Sequence, residues 1–106
     1  MNKYKYSIVI PCYCSSKSIE ELVGLIEKEM TGESFQIIMV NDSSPDRGAT
    51  SRAILRVTAQ YGNTVGIDLA KNVGQHNAVM CGLNYAAGEY VISMDDDLQI
   101  RPEQIH

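Results

Sequence analysis

The stretch Val91–Gln99, which reads VISMDDDLQ, does most to decide the fold of this chain. It is an apolar strand pattern that ends in three consecutive carboxylates and an amide. Strands in open α/β sheets present their ligand-binding groups at their carboxyl ends, so we expect these acids in a crevice at a sheet edge. Side chains two residues apart share one face of a strand, which pairs Asp95 with Asp97 and places Gln99 next. Asp96 then faces elsewhere and could bond a ribose or sugar hydroxyl.

Carboxylate and amide oxygens are hard ligands that suit Mg²⁺ or Mn²⁺. The acidic run therefore indicates a cation site. The alternative is a solvated acidic turn, and the triplet alone does not separate the two.

Outward from this stretch, apolar periodicity predicts strands and helices in the order βαβαβαβ. The predicted strands are 6–10, 35–40, 64–69 and 90–94, and the predicted helices are 19–30, 49–61 and 75–87. We expect Pro11 to stop the first strand, a capping box of Ser18 and Glu21 to open the first helix, and Gly88 to end the third. Crossovers of helix length require a mostly parallel sheet, so the predicted fold class is α/β, a three-layer αβα arrangement in one domain over residues 1–106.

The end of the chain has the form of a helix start. Pro102 follows Arg101 at a first helical position, and the chain stops at His106. We therefore expect a domain truncated at its C-terminal end. Sheet edges and apolar surface that belong to the absent part would be exposed or paired between copies, so the chain could self-associate.

Composition and charge narrow the range of partners. Of the 106 residues 44% are hydrophobic and 21% are charged, which is ordinary for a packed core. A net charge of −4 gives no basic patch, so no nucleic-acid partner is expected. No apolar run approaches the roughly 20 residues that cross a bilayer. The odd count of three cysteines argues against a disulfide framework and for reduced, cytoplasmic thiols.

Polar clusters follow three of the four predicted strands: 11–13 after the first, 41–44 after the second and 95–97 after the fourth. In a parallel sheet these clusters lie at one edge and line one crevice, which is how this class of sheet builds a nucleotide site. No G-x-G-x-x-G follows the first strand, and no G-x-x-x-x-G-K-[ST] occurs. A dinucleotide oxidoreductase and a P-loop enzyme are therefore disfavoured.

Taken in order, four segments resemble the family 2 glycosyltransferases of the GT-A fold, the Rossmann-like nucleotide-diphospho-sugar transferases. They are IVIPCY at 8–13, IMVNDSSPD at 38–46, NVG at 72–74 with Ala78 and Gly82-Leu83, and MDDD at 94–97. Segments 74–78 and 97–103 look most like the polyprenyl-phosphate branch, the dolichyl-phosphate mannose synthases and undecaprenyl-phosphate glycosyltransferases. The resemblance implies the nucleotide-sugar-binding N-terminal half of a metal-dependent hexosyltransferase. It further implies a UDP- or GDP-linked donor, a polyprenyl phosphate or other glycan acceptor, and a parent protein at the cytoplasmic face of the membrane.

The resemblance also implies roles for individual residues. Base and ribose contacts fall on Pro11, Tyr13, Val40 and Asp42, a donor contact on Asp96, and binding of Mg²⁺ or Mn²⁺ on Asp95, Asp97 and Gln99. The sequence departs from the family pattern where Cys14 and Ser15 replace the usual Asn-Glu, Asn41 replaces the first of two common aspartates, Asp96 replaces a small residue and Arg101 a proline. Acceptor-side catalytic residues are expected beyond His106, so these residues alone are expected to be inactive.

Three other interpretations of the acidic run have to be weighed. A noncatalytic nucleotide- or metal-binding module is the rival from a different class, and sugar turnover would exclude it. A phosphotransferase of the haloacid dehalogenase kind would need its acid pair after the first strand. An EF-hand fails because Ile100 occupies the position that requires glycine.

Overall fold

A computed structural model describes residues 3–96 of the chain. It contains the seven predicted elements in the predicted order. They are β1 (Tyr4–Cys12), α1 (Ile19–Glu29), β2 (Phe35–Asn41), α2 (Ala49–Gln60), β3 (Thr64–Asp68), α3 (Gln75–Leu83) and β4 (Gly88–Ser93). Asp97, Gln99 and the expected helix start at 101–103 lie outside the described residues. Within residues 3–96 no helix is long and apolar enough to cross a membrane.

The four strands form one parallel sheet in the order β3-β2-β1-β4. Helices α1 and α2 cover one face, where they bury an apolar cluster that includes Ile8, Ile10, Leu22, Ile37 and Ile54. Helix α3 covers the other face, over Val9, Ile38 and Val40. Apolar side chains therefore point both ways from β1 and β2, as expected for strands buried on both faces. The predicted three-layer α/β fold is confirmed.

The prediction that Pro11 stops β1 is wrong, because the strand continues to Cys12. Proline lacks an N–H, so a central strand tolerates it only where the ladder needs no donor. The carbonyl of Val9 accepts from the amide of Met94 on the β4 side, and Pro11, two residues on, faces that same side. Pairing with β4 ends at Val9 and Ser93, whereas pairing with β2 continues to Cys12 and Asn41. The missing donor falls just past the end of β4.

The capping box predicted at the start of α1 does not form. Ser18 is the N-cap residue, but its side chain caps no helix amide. Its hydroxyl donates to the backbone carbonyl of Asp96 at 2.9 Å instead. A tertiary contact has replaced the local one that the sequence pattern predicts.

The third helix ends at Leu83, earlier than the predicted Ala87. Beyond it the amides of Asn84, Tyr85 and Ala86 bond to carbonyls three residues back, at 3.0–3.2 Å, in tight turns. Gly88 does not end the helix but begins β4. A Cβ at Gly88 would lie 2.5 Å from the backbone nitrogen of Ser7, so the glycine is required by the close approach of β4 to β1.

Candidate functional site

A cleft of about 260 Å³ opens at the carboxyl ends of the strands. It is lined by residues from the ends of β1 and β2, the loop before α3 and the segment after β4: Pro11, Cys12, Tyr13, Asp42, Asn72, Gly74, Gln75 and Asp96. The structure thus brings together four of the predicted contact residues: Pro11, Tyr13, Asp42 and Asp96. Val40 is not among the lining residues, since its side chain is buried under α3.

Asp42 fixes the loop that forms one wall of the cleft. Its carboxylate accepts from the backbone amides of Val73 at 2.8 Å and Gly74 at 3.0 Å. Its carbonyl accepts from Asn72 Nδ2 at 3.1 Å. Gly74 has φ 92° and ψ 154°, a conformation that residues with a Cβ rarely adopt, and it directly precedes α3. The side chain at the end of β2 therefore sets where α3 begins.

The loop after β1 forms the opposite wall and is held by the turn after β2. Cys14, which has a positive φ of 53°, donates its amide to Ser44 Oγ at 2.9 Å. Ser44 Oγ in turn donates to Asn41 Oδ1 at 2.6 Å. The Tyr13 side chain stays 50% exposed at the rim. An aromatic ring in this position is available to a planar ligand.

Asp95 and Asp96 turn to opposite walls of the cleft. Asp95 Oδ1 accepts from Gln75 Nε2 at 2.6 Å, at the first residue of α3. Asp96 Oδ2 accepts from the Tyr13 amide at 3.0 Å and from the Ser15 hydroxyl. The alternation expected for a strand thus continues past Ser93, where β4 ends.

Several residues of the site had no role in the sequence-based prediction, among them Gln75, Asn72 and Ser15. Asn72 lies just before α3 and Gln75 is its first residue. Both fall in segments quoted for the family resemblance, and that was the available signal. Ser15 carried no positive signal, because it entered only as a departure from the family pattern. Ser15 and Asp96, two of these departures, hydrogen-bond to each other.

The three cysteines are free thiols with different exposure. Cys12 is buried, Cys14 is exposed and Cys81 is intermediate. Burial, with a smaller contribution from the Asp96 charge, raises the pKa of the Cys12 thiol far above its usual range. Cys12 therefore packs at the floor of the cleft as a neutral apolar group.

The described part of the site fits a divalent cation only in part. Residues 3–96 contain no group of three His, Cys, Asp or Glu side chains placed to hold a metal. Asp95 and Asp96 nevertheless offer hard carboxylate oxygens beside the cleft. Mg²⁺ characteristically takes one or two carboxylates and completes its shell with water and substrate phosphates. The donor set therefore suits a metal that binds together with a phosphorylated ligand.

The fold and the cleft define an α/β protein with a ligand site at the carboxyl ends of its parallel strands. Residues 7–106 match the family model described as glycosyl transferase family 2, and the chain belongs to that family. Among curated proteins it is similar to the undecaprenyl-phosphate 4-deoxy-4-formamido-L-arabinose transferase of Edwardsiella ictaluri (strain 93-146). The two are 40% identical over 103 residues, which cover 93% of this chain and 31% of the relative. The enzyme of the same name from Shewanella sediminis (strain HAW-EB3) is 37% identical over 103 residues, 93% of this chain and 30% of the relative.

Solved structures show the same fold. The mannosyltransferase PcManGT from Pyrobaculum calidifontis, in complex with GDP-Man and Mn²⁺, matches with a TM-score of 0.78 and 23% identity, over 90% of this chain and 28% of that one. S. aureus TarS 1–349 in complex with UDP matches with a TM-score of 0.71 and 27% identity, over 95% of this chain and 30% of that one. The predicted GT-A fold and the resemblance to the polyprenyl-phosphate branch are confirmed. The chain spans roughly a third of the length of the curated relatives it matches.

Proposed function

We propose that the protein containing this chain is a metal-dependent glycosyltransferase that moves a sugar from a nucleotide diphosphate sugar to a polyprenyl phosphate. The observation that carries the proposal is the cleft in which side chains from the ends of β1, β2 and β4 meet, in a chain of a glycosyltransferase family. Names of similar proteins support the substrate classes. The curated relatives are undecaprenyl-phosphate transferases, and solved neighbours hold GDP-Man with Mn²⁺ or UDP-GlcNAc.

In this proposal the nucleotide lies between the two walls of the cleft. The exposed ring of Tyr13 stacks on the base, and Pro11 supports it from the end of β1. Asp42 accepts hydrogen bonds from the base edge, because each carboxylate oxygen has lone pairs beyond the one used by a backbone amide. The bonds from the loop before α3 hold Asp42 in place for that contact. Val40 would take part through its backbone, since its side chain is buried.

The diphosphate of the donor would lie beside the acidic segment. Asp95 would hold the metal together with Asp97 and Gln99, and the Gln75 amide would orient the Asp95 carboxylate. A bound Mg²⁺ or Mn²⁺ supplies charge stabilisation for the departing nucleoside diphosphate. A phosphate acceptor is ionised near neutral pH, so the cleft needs no strong general base for its activation. Such an acceptor would place the protein at the cytoplasmic face of the membrane.

The first test measures binding of UDP and of GDP by calorimetry, each with and without Mn²⁺. We expect Mn²⁺-dependent binding of one nucleotide. Asp95→Asn should weaken this binding at least about tenfold, because the substitution removes a ligand carboxylate. Asp68→Asn is the matched control, since Asp68 ends β3 but does not line the cleft. The nucleotide that binds names the base of the donor.

A transfer assay then decides between an enzyme and a binding module. Labelled nucleotide sugar is incubated with polyprenyl phosphate, and lipid-linked sugar is measured with Mn²⁺ and with a chelator. Product that requires Mn²⁺ supports the proposal. Nucleotide binding without transfer would favour the noncatalytic module, and absence of binding under all conditions would contradict the proposed donor site.

A further inference from the structure

Asp96 is committed to contacts within the chain. Its Oδ2 accepts from the Tyr13 amide at 3.0 Å and from the Ser15 hydroxyl. Its backbone carbonyl accepts from Ser18 Oγ at 2.9 Å. Two donors occupy the two lone pairs of Oδ2. We call these four residues, Tyr13, Ser15, Ser18 and Asp96, the Asp96 bridge.

The Asp96 bridge joins the buried start of α1 to the acidic segment. Ser15 is only 3% exposed, and its amide donates to Thr50 Oγ1 at 2.9 Å. Its carbonyl accepts from the amides of Ser18 and Ile19 at 3.0 and 2.9 Å, at the start of α1. Ser15 is thus anchored to both helices on that face of the sheet. Its buried hydroxyl needs an acceptor, and Asp96 provides it.

The neighbouring residues Asp95 and Asp96 contact opposite walls of the cleft. Asp95 contacts Gln75 on the α3 wall, and Asp96 contacts Ser15 on the β1 wall. The ladder with β1 ends at Ser93, and the last backbone bond to β1 among residues 3–96 is that from the Met94 amide to the Val9 carbonyl. The position of Asp95 beside the cleft therefore depends both on its own bond to Gln75 and on how Asp96 is held.

We propose that Asp96 is a positioning residue, which through Ser15, Tyr13 and Ser18 fixes Asp95 and the loop after β1 at the spacing that the nucleotide and metal require. This assignment rests on the proposed function and differs from a direct donor contact, because it acts through Oδ2, which already accepts from Tyr13 and Ser15, and not through Oδ1. Positioning requires an acceptor at residue 96 but not a negative charge. An asparagine can present its one side-chain oxygen to the same two donors, whereas alanine cannot.

The test compares Asp96→Asn, Asp96→Ala, Ser15→Ala and the double variant Ser15→Ala with Asp96→Ala. The matched control is Ser16→Ala, an adjacent serine outside the bridge. The nucleotide identified above is titrated at saturating Mn²⁺, and exchange of the Tyr13 amide is followed by NMR. Thermal unfolding of each variant confirms that it is folded at the assay temperature.

We expect Asp96→Ala and Ser15→Ala each to weaken nucleotide binding about tenfold, as for loss of a hydrogen bond to a charged group. The double variant should lose less binding than the two single losses added together, because both single variants remove the hydrogen bond between Ser15 and Asp96. Asp96→Asn should weaken nucleotide binding only about threefold. Ser16→Ala should bind the nucleotide normally. The Tyr13 amide also donates to Ser15 Oγ at 3.0 Å. It should therefore exchange faster in Asp96→Ala than in Asp96→Asn, and fastest in the double variant, which removes both acceptors.

Two outcomes would overturn the assignment. Equal losses in Asp96→Asn and Asp96→Ala would mean that the charge itself is needed, as in a direct metal or donor contact. Normal binding in Asp96→Ala, which removes the bonds from both Tyr13 and Ser15, would mean that the bridge positions nothing. If the unmodified protein binds neither nucleotide, the proposed function fails by itself, and Tyr13 amide exchange still decides whether Asp96 holds the loop.

Discussion

Replacing Asp42 with asparagine should separate the loop before α3 from the end of β2. The carboxylate accepts two backbone amides, from Val73 at 2.8 Å and Gly74 at 3.0 Å, one on each oxygen. Asparagine offers one oxygen and one NH₂ group. One of the two amides would therefore face a donor, and a backbone amide cannot turn away to find another partner.

The expected loss of stability in Asp42→Asn follows from the burial of these groups. Asp42 is 4% exposed, and a hydrogen bond to a charged group contributes about 1.5–3 kcal/mol. Gly74 is exposed, so water can partly satisfy the orphaned amide. We therefore expect Asp42→Asn to lower the free energy of unfolding by about 2 kcal/mol. With a urea m-value of about 1.5 kcal/mol/M, the midpoint would fall by about 1.3 M.

Urea unfolding followed by circular dichroism measures this loss, and Asp68→Asn is the control. Asp68 also accepts two hydrogen bonds, both at 2.9 Å, from Asn41 and Ser51, but it is exposed. Its serine partner can rotate its hydroxyl to accept from an amide, so a loss below about 1 kcal/mol is expected. An equal loss in the two variants would refute the reasoning that burial and fixed backbone donors make Asp42 critical.

Three further predictions follow from local geometry and pKa shifts. Gly88→Ala should lower the free energy of unfolding in urea by about 2–3 kcal/mol, because its Cβ would meet backbone at 2.5 Å. Gly62→Ala is the control, since a Cβ there has open space and should change the free energy of unfolding little. A maleimide should label exposed Cys14 in the native protein, while Cys12, whose pKa is raised by burial, should react only after unfolding; rapid native labelling of Cys12 would contradict its burial. A hydrogen bond from the threonine at the start of α2 lowers the pKa of Asp46 below 3.8, so its contribution to stability is present above that pH and is lost as the pH falls through the folded-state pKa. Asp46→Asn should make acid unfolding less steep, and an unchanged acid limb would count against this contribution.

The sequence predicted the element order and layers because both depend on apolar periodicity. Residues at strand and helix spacing bury the same faces whatever their distant partners are. The errors fell where a distant partner decides the outcome. Pro11 is tolerated because β4 ends beside it, Gly88 is required because β1 passes close to it, and Ser18 bonds to Asp96 rather than to its own helix.

The same distinction applies to the site. That Tyr13, Asp42 and Asp96 meet could be predicted, because the carboxyl ends of parallel strands share one edge. Their hydrogen-bond partners could not be predicted. Asp42 bonds to a loop 31 residues later, and the partners Ser15 and Asp96 are 81 residues apart. Spacing along the chain carries no information about such pairs.

The partners of these loops also explain why the cleft has a defined shape. Each loop is fastened by a side chain from another strand end: the β1 loop by Ser44 and Asp96, and the α3 loop by Asp42. Hydrogen bonds made within a single loop would fix its own shape but not its distance from the next one. Because the loops are fastened to each other, a ligand entering the cleft need not supply the free energy to order them. Substitutions at these fastening residues should therefore weaken nucleotide binding even when they do not touch the nucleotide.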